Sequence, residues 1–278
     1  EISLGLVGSE MCIRDREANM EKRVLGKSGI DASNIGLGTY YFGGGDGTSP
    51  PSSKDIIDMI HSALDHSINL LDTAPSYGFG HCEKIIGKAL KGRRDQAVIA
   101  TKCGLWWQDR RGSPNGQKDG KDQYISLRPD TIRTEVENSL RYLNTDYLDL
   151  LQVHKPAIPP EETPIEETMA CLMELKQEGK IRAIGVCNVS LEQLQRYDSA
   201  GELATNQFRY SMIHKNPELD ILPYCLENDI GSITYMSLEQ GLLTGKINFE
   251  RKFEDHDWRN NAGQWLPWSV SYTHLRAH

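Results

Sequence analysis

From Met20 onward the chain repeats one pattern: a run of four to seven apolar residues, then a longer stretch whose apolar residues recur every three or four positions. The runs "IGLGTYYFG", "INLLDTA", "QAVIATKCG", "DYLDLLQVHKP", "IRAIGVCNV", "LATNQFRYSMI" and "IGSITYMSL" supply seven beats. Apolar runs of strand length that alternate with amphipathic helices are the mark of a parallel sheet joined by right-handed crossovers. A doubly wound sheet needs two mononucleotide-binding halves and a Gly-rich turn after the first strand. Here "GGGDG" (Gly43 to Gly47) lacks the GxGxxG spacing and a following Lys-Ser/Thr, and it reads as a loop. The alternation therefore predicts an α/β (β/α)8 barrel, of which about seven units are present. A β-hairpin made of "KRVLG" and "DASNIGLG" precedes it, turning at Lys27-Ser28-Gly29.

Helix boundaries follow from local signals. Ser53 is the expected N-cap of the first helix, with Ile57, Ile60 and Leu64 on its buried face. In "RPDTIRTEVENSLRYL", Ile132, Val136, Leu140 and Leu143 form one stripe. Thr163, Pro164 and Glu166 take N-cap, N1 and N3 of the helix after the fourth strand. A long polar loop is expected after the seventh strand. The first 19 residues and residues 269–278 lack this logic and resemble translated sequencing-adapter read-through. The barrel is accordingly assigned to residues 20–268. The chain stops before an eighth strand and helix, so the first and seventh strands are expected to have unpaired edges, although the alternating tail "SVSYTHL" could lie between them.

The 278 residues carry a formal charge of -8 and no Lys/Arg run, which argues against a nucleic-acid partner. No apolar stretch reaches the roughly 20 residues of a membrane span. Cys12, Cys82, Cys103, Cys171, Cys187 and Cys225 are far apart and without CxxC spacing, which predicts reduced thiols in a cytoplasmic protein and no zinc site. Oligomeric state is not legible.

Chemistry in a barrel sits at the C-terminal ends of its strands. Asp72 ends the second strand, with Tyr77 in the loop beyond. Lys102 ends the third, His154 the fourth and Asn188 the fifth, while Gln207 and Tyr235 lie in the sixth and seventh. Alone, each has a plain structural reading: a turn aspartate, a solvated lysine, a hydrogen-bonded histidine. Together, a carboxylate, a phenol, an ammonium and an imidazole meet on one rim. A free phenol titrates near pH 10; a neighbouring ammonium is expected to lower that value, and a carboxylate to hold the ammonium. The imidazole can orient a carbonyl oxygen toward the phenol. The set is a proton donor aimed at an oxygen that gains charge as hydride arrives.

These residues, within "LDTAPSYGFG", "IATKCG" and "DLLQVHKP", resemble the catalytic tetrad of the aldo-keto reductases. "GKIRAIGVCNVS", "TNQFRYS" and "YMSLEQGLLTGK" are similar to that family's later segments in order and spacing, from Met20 to about Asn261. The likeness is greatest to bacterial general-stress-type members. It implies NADPH-dependent reduction of aldehydes or ketones, with Tyr77 as acid, Lys102 as modulator of its pKa, Asp72 as the lysine's partner and His154 as orienter. It further implies that Asn188 and Gln207 bond the nicotinamide carboxamide and that Tyr235 stacks on its ring. Gly38, Thr39, Cys187, Ser237 and Leu238 would line the cofactor, and Tyr41, Trp106 and Trp107 would wall the pocket for a small carbonyl substrate. Three departures stand out: Cys187 replaces a usual serine, Met236 replaces another with Ser237 beside it, and the adenosine-side unit that sets NADP preference is missing. Two other readings stay open: a nucleotide-binding redox-sensing or regulatory subunit without useful turnover, and a phosphate-binding lyase on the same barrel.

Overall fold

In the computed structural model the described residues are 20–44, 50–247 and, singly, 251, 253, 257 and 259. The two terminal segments, "SVSYTHL" and most of the "GGGDG" loop lie outside them. In chain order the elements are β1 (Lys22–Val24), β2 (Asp31–Ser33), β3 (Gly36–Gly38), α1 (Ser53–Asp65), β4 (Leu70–Asp72), α2 (His81–Ala89), β5 (Val98–Cys103), β6 (Leu105–Trp106), β7 (Ser113–Lys118), β8 (Lys121–Ile125), α3 (Pro129–Leu143), β9 (Leu148–Val153), α4 (Ile165–Gln177), β10 (Ile181–Cys187), α5 (Leu191–Ala200), β11 (Leu203–Arg209), α6 (Ile221–Glu227) and β12 (Gly231–Tyr235). Seven strands form one sheet in the order β12-β11-β10-β9-β5-β4-β3, every pair parallel. This is a curled (β/α) barrel wall, with β3 and β12 as its edges among the described residues.

The wall separates two cores. On its outer face Ile56, Ile60, Ile85, Ile86, Ile132, Val136, Leu172 and Leu194 of the helices pack against Leu71, Ile99, Leu151 and Ile184 of the strands. Inside the curl lie Leu70, Val98, Ala100, Leu150, Ala183 and Ala204, closed from below by Leu25, Ile30 and Ala32 of the β1–β2 hairpin. Alternate residues of a strand face opposite sides, so each β-run feeds both cores. The hairpin is clamped to the wall through Asn69: its Oδ1 accepts from the Ser33 N–H at 2.7 Å, and its own N–H donates to Ser33 Oγ at 3.0 Å. Gly26, at φ +50°, lies so close to the wall that a Cβ would stand 2.2 Å from the Ala204 carbonyl oxygen.

Several expectations need correction. The first helix is capped by Ser52, whose Oγ accepts from the Asp55 N–H, and not by Ser53; Ser52 is the residue in extended conformation. Its most buried residues are Ile56 and Ile60, with Ile57 and Leu64 flanking. Pro164 is the N-cap of α4, displacing Thr163, because its ψ of 142° is extended; no side chain caps that end, and Glu166 and Glu167 face the helix N-terminus instead. "IGLGTYYFG" is strand only over Gly36–Gly38 and then tightens into a 3-10 turn at Tyr40–Gly43. The polar loop after β12 likewise contains a 3-10 segment, Glu239–Thr244. A three-stranded antiparallel sheet, β6-β8-β7, was not anticipated; it stands between β5 and α3 on the C-terminal side of the wall.

Candidate active site

Four strand ends bring the rim residues together. Lys102, 1 % exposed near the end of β5, donates from Nζ to both Asp72 carboxylate oxygens at 2.8 and 2.9 Å and to the Thr73 carbonyl at 3.0 Å. The same nitrogen lies 3.3 Å from the Tyr77 hydroxyl. The Tyr77 ring meets that of His154 edge to face, with centroids 5.8 Å apart. His154 is set by its backbone N–H, which donates to the Cys103 carbonyl at 2.9 Å and carries the β5–β9 ladder one residue past β9. The turn that aims Tyr77 is built locally. Its N–H donates to the Ala74 carbonyl, and the Gly80 N–H returns to the Pro75 carbonyl at 2.7 Å.

Burial dominates the electrostatics. It pushes the Tyr77 phenol up to about 12; Lys102 pulls it down, but not enough, and Asp72 adds to the rise. The expectation of a net lowered phenol pKa is therefore corrected. Desolvation outweighs the ammonium, and the hydroxyl stays protonated across the physiological range. For Lys102 the burial penalty is the largest influence, yet Asp72 and Tyr77 together raise its pKa above the ordinary lysine value, keeping it charged. Burial first, and then the Lys102, Lys155 and Lys118 ammoniums, hold His154 well below the usual imidazole range, so it is neutral and offers one N–H.

The later residues extend the network. Gln207 Nε2 donates to Asp72 Oδ1 at 3.0 Å, and Cys187 Sγ donates to Gln207 Oε1 at 3.4 Å. Asn188 Nδ2 donates to the His154 carbonyl at 3.2 Å, and the Tyr235 hydroxyl donates to Asn188 Oδ1 at 2.6 Å. Ser237 and the exposed Leu238 follow Tyr235, with Ser237 Oγ 3.3 Å from Thr234 Oγ1. Thr39 is buried with its Oγ1 unpartnered, and beside Gly38 there is open space where a Cβ would stand. A cleft of about 1500 Å³ runs from the hairpin to this rim; Gly38, Asp72, Gln207, Tyr235, Met236 and Ser237 line its upper end. The polar groups that converge at that upper end are of the kind that fits the nicotinamide end of a dinucleotide.

The pocket wall differs from expectation. Tyr40, rather than Tyr41, packs on Tyr77, with centroids 5.1 Å apart; Tyr41 bonds Gln240 Oε1 at 2.7 Å. Trp106 is 2 % exposed and its indole N–H donates to Asp109, so it supports the wall from behind. Trp107 tilts against Phe79 at 5.4 Å, nearer the mouth. Sequence reasoning missed Tyr40, Gln152 and Lys118. Gln152, whose Nε2 approaches Asp72 Oδ1 at 3.5 Å, had a signal, since it shares a strand face with His154 two residues on. Lys118, over the Tyr40 ring at 4.1 Å, had none, because the β7–β8 hairpin that delivers it was itself unseen.

Among the described residues no His/Cys/Asp/Glu group is arranged to hold a metal ion, and no helix is long and apolar enough to cross a membrane. Comparison with known proteins adds to the geometry. The chain is 45 % identical over 230 residues to the NADH-specific methylglyoxal reductase of Escherichia coli (strain K12), spanning 82 % of this chain and 70 % of that one. It is 44 % identical over 246 residues to the aldo-keto reductase YhdN of Bacillus subtilis (strain 168), spanning 87 % and 69 %. The solved glycerol dehydrogenase AKR11B4 of Gluconobacter oxydans superposes with a TM-score of 0.77 at 38 % identity, over 92 % of this chain and 75 % of that one. The model of the Aldo/keto reductase family matches residues 34–277, and with the barrel wall and its rim in place the chain belongs to that family.

Proposed function

We propose that the chain reduces aldehydes or ketones to alcohols at the Tyr77–Lys102–Asp72–His154 rim, with NADPH as the reductant. The observation that carries this reading is the Tyr77 hydroxyl, 3.3 Å from an ammonium that is itself fixed by Asp72, whose side of the rim meets the upper end of the cleft. When bound, a nicotinamide dinucleotide supplies the hydride that goes to the carbonyl carbon. Tyr77 gives its proton to the carbonyl oxygen as negative charge builds there. The phenolate left behind is stabilised by Lys102, which Asp72 and the Thr73 carbonyl hold in place. Neutral His154 donates its N–H to the same oxygen and sets its approach. Gln207 stiffens Asp72, and the Tyr235–Asn188 bond fixes two of the side chains that would hold the nicotinamide.

A second form of the reductant, NADH, is favoured by the name of the Escherichia coli relative. Cytoplasmic placement rests on five buried free thiols, Cys82, Cys103, Cys171, Cys187 and Cys225. The test is carbonyl-dependent oxidation of NADPH and of NADH by the full chain, with Tyr77→Phe in parallel. Turnover that Tyr77→Phe removes supports the reading, and the better reductant names the cofactor. Nucleotide binding with no carbonyl-dependent oxidation would overturn it in favour of a regulatory subunit.

A further inference from the structure

The Tyr77 hydroxyl meets Lys102 from a turn, whereas Lys102 belongs to a strand, so contacts outside the sheet ladder must fix that turn. The ladder between β4 and β5 ends where the Thr73 N–H donates to the Ala100 carbonyl at 2.9 Å. Beyond it the chain leaves the wall, closes the turn through the Tyr77 and Gly80 N–H groups, and enters α2 at His81. The Cys82 N–H donates back to the Tyr77 carbonyl at 3.4 Å, so the turn and the start of α2 form one unit. Two successive residues of that unit grip the strands on either side. Neighbouring residues of a helix point about 100° apart, which lets one reach toward β3 and the next toward β5. Cys82 Sγ donates to the carbonyl of Thr39, just past β3, at 3.4 Å. Glu83 Oε1 accepts from Thr101 Oγ1 of β5 at 2.7 Å. Apart from the Tyr77–Lys102 contact itself, this is the one hydrogen bond among the described residues that ties residues 74–83 to β5.

Thr101 immediately precedes Lys102, and adjacent side chains of a strand leave opposite faces. Lys102 points to the rim and Thr101 to α2, so the Glu83 bond anchors the Tyr77 unit one residue away from the ammonium that Tyr77 must meet. Glu83 is fully buried beside Cys82, Ile85 and Ile86 of the outer core, where a carboxyl is costly to keep. An apolar side chain would fill the same helix–sheet space; the carboxyl adds a short, directional bond. We propose that Glu83 is a positioning residue for the reduction: through Thr101 it locks α2 to β5 and so holds the Tyr77 hydroxyl within reach of the Lys102 ammonium. The effect on rate rests on the carbonyl-reductase reading, while the effect on geometry stands without it.

Thr101→Val in the full chain deletes the hydroxyl and keeps the branched shape that suits a strand. Its kcat is expected to fall by about 10- to 100-fold, with KM and nucleotide affinity within about 2-fold of the parent, because proton transfer alone depends on where the phenol stands. Glu83→Ala should do the same. Glu83→Gln keeps an acceptor oxygen and should retain most of the rate; burial already pushes the Glu83 carboxyl up to about 7, so a neutral acceptor is close to the native one. In a Tyr77→Phe background, which has no hydroxyl to place, Thr101→Val should change the residual rate by less than about 2-fold. Crystal structures of the parent and Thr101→Val should show the Tyr77–Lys102 separation widening by about 0.5 Å or more from 3.3 Å. An unchanged kcat, KM and nucleotide affinity that worsen in step with it, an equal loss in the Tyr77→Phe background, or no rescue by Glu83→Gln would each overturn the role. Should Glu83→Ala fail to fold, Thr101→Val and Glu83→Gln carry the test. If the parent reduces no carbonyl, the two crystal structures decide. A widened pair keeps the positioning role and sinks the reductase reading, and an unchanged pair sinks the positioning role as well.

Discussion

The Tyr77 hydroxyl lies 3.3 Å from the Lys102 ammonium, a cation held in place because Asp72 and the Thr73 carbonyl occupy its other donors. The phenol is too buried to ionise, its pKa lying up at about 12, and the ammonium's service comes after proton transfer, when a phenolate must be stabilised.

Tyr77→Phe keeps the ring that packs on Tyr40 and His154 and deletes only the proton donor. Turnover is expected to fall by about 10²- to 10⁴-fold with nucleotide affinity nearly unchanged. Steady-state kinetics together with cofactor fluorescence titration check both halves; a variant that keeps most of its kcat would exclude Tyr77 as the acid.

Lys102→Met removes the charge that pulls the phenol down and leaves burial and Asp72, which raise it. The Tyr77 titration should move further above about 12, seen as tyrosinate absorbance that appears at higher pH than in the parent chain. Asp72 also loses its buried partner, so the variant should unfold at lower denaturant, by about 3 kcal/mol. A Tyr77 titration that stayed put would show that the two groups are not coupled.

The rim was legible because barrel geometry places chemistry at strand ends, and a strand end is marked by a polar residue after an apolar run, as in "VIATKCG" and "LLQVHKP". The pocket wall was not. Tyr40 and Tyr41 are adjacent, and which ring meets Tyr77 depends on the 3-10 turn at Tyr40–Gly43, where strand periodicity no longer applies. The β7–β8 hairpin was hidden because Ser113–Lys118 reads "SPNGQK", with no apolar alternation. Its strand form comes from pairing with β8. The phenol's net shift was misjudged for a related reason: a charged neighbour shows in the sequence, whereas desolvation needs the packed surroundings.

Gly87 lies where α2 crosses the end of α3. A Cβ there would stand 2.5 Å from the Tyr142 carbonyl oxygen and 2.8 Å from Leu143 backbone atoms. Backbone cannot swing aside as a side chain can, so Gly87→Ala must push the helices apart despite alanine's better helix propensity. A loss of about 1–3 kcal/mol in chemical denaturation is expected. A neutral or stabilised variant would contradict the close crossing.

Two carboxylates are buried behind β5. Glu83 of α2 accepts from Thr101 Oγ1 at 2.7 Å, and Glu135 of α3 accepts from the Gly104 N–H at 2.6 Å, so the pair brackets Lys102 from the helix side. Burial pushes Glu83 up to about 7 and Glu135 up to about 8, the second helped by the charge of the first. A carboxyl whose folded pKa lies above its unfolded value near 4.5 keeps its proton in the native state after unfolding would release it. Stability must then fall as pH rises through the interval between those values. His154 acts oppositely at the acid end, because its depressed imidazole would take up a proton on unfolding below about 6.5. Between pH 6.5 and 8 the carboxylates therefore set the slope, and the melting temperature should decline across that window. Glu135→Gln keeps a carbonyl acceptor for the Gly104 N–H but has no proton to lose. It should flatten the decline and recover on the order of 1–3 kcal/mol relative to the parent at pH 8. Thermal melts of both chains at half-unit pH steps check this; parallel curves from pH 6.5 to 8 would mean that Glu135 is already ionised in the folded protein.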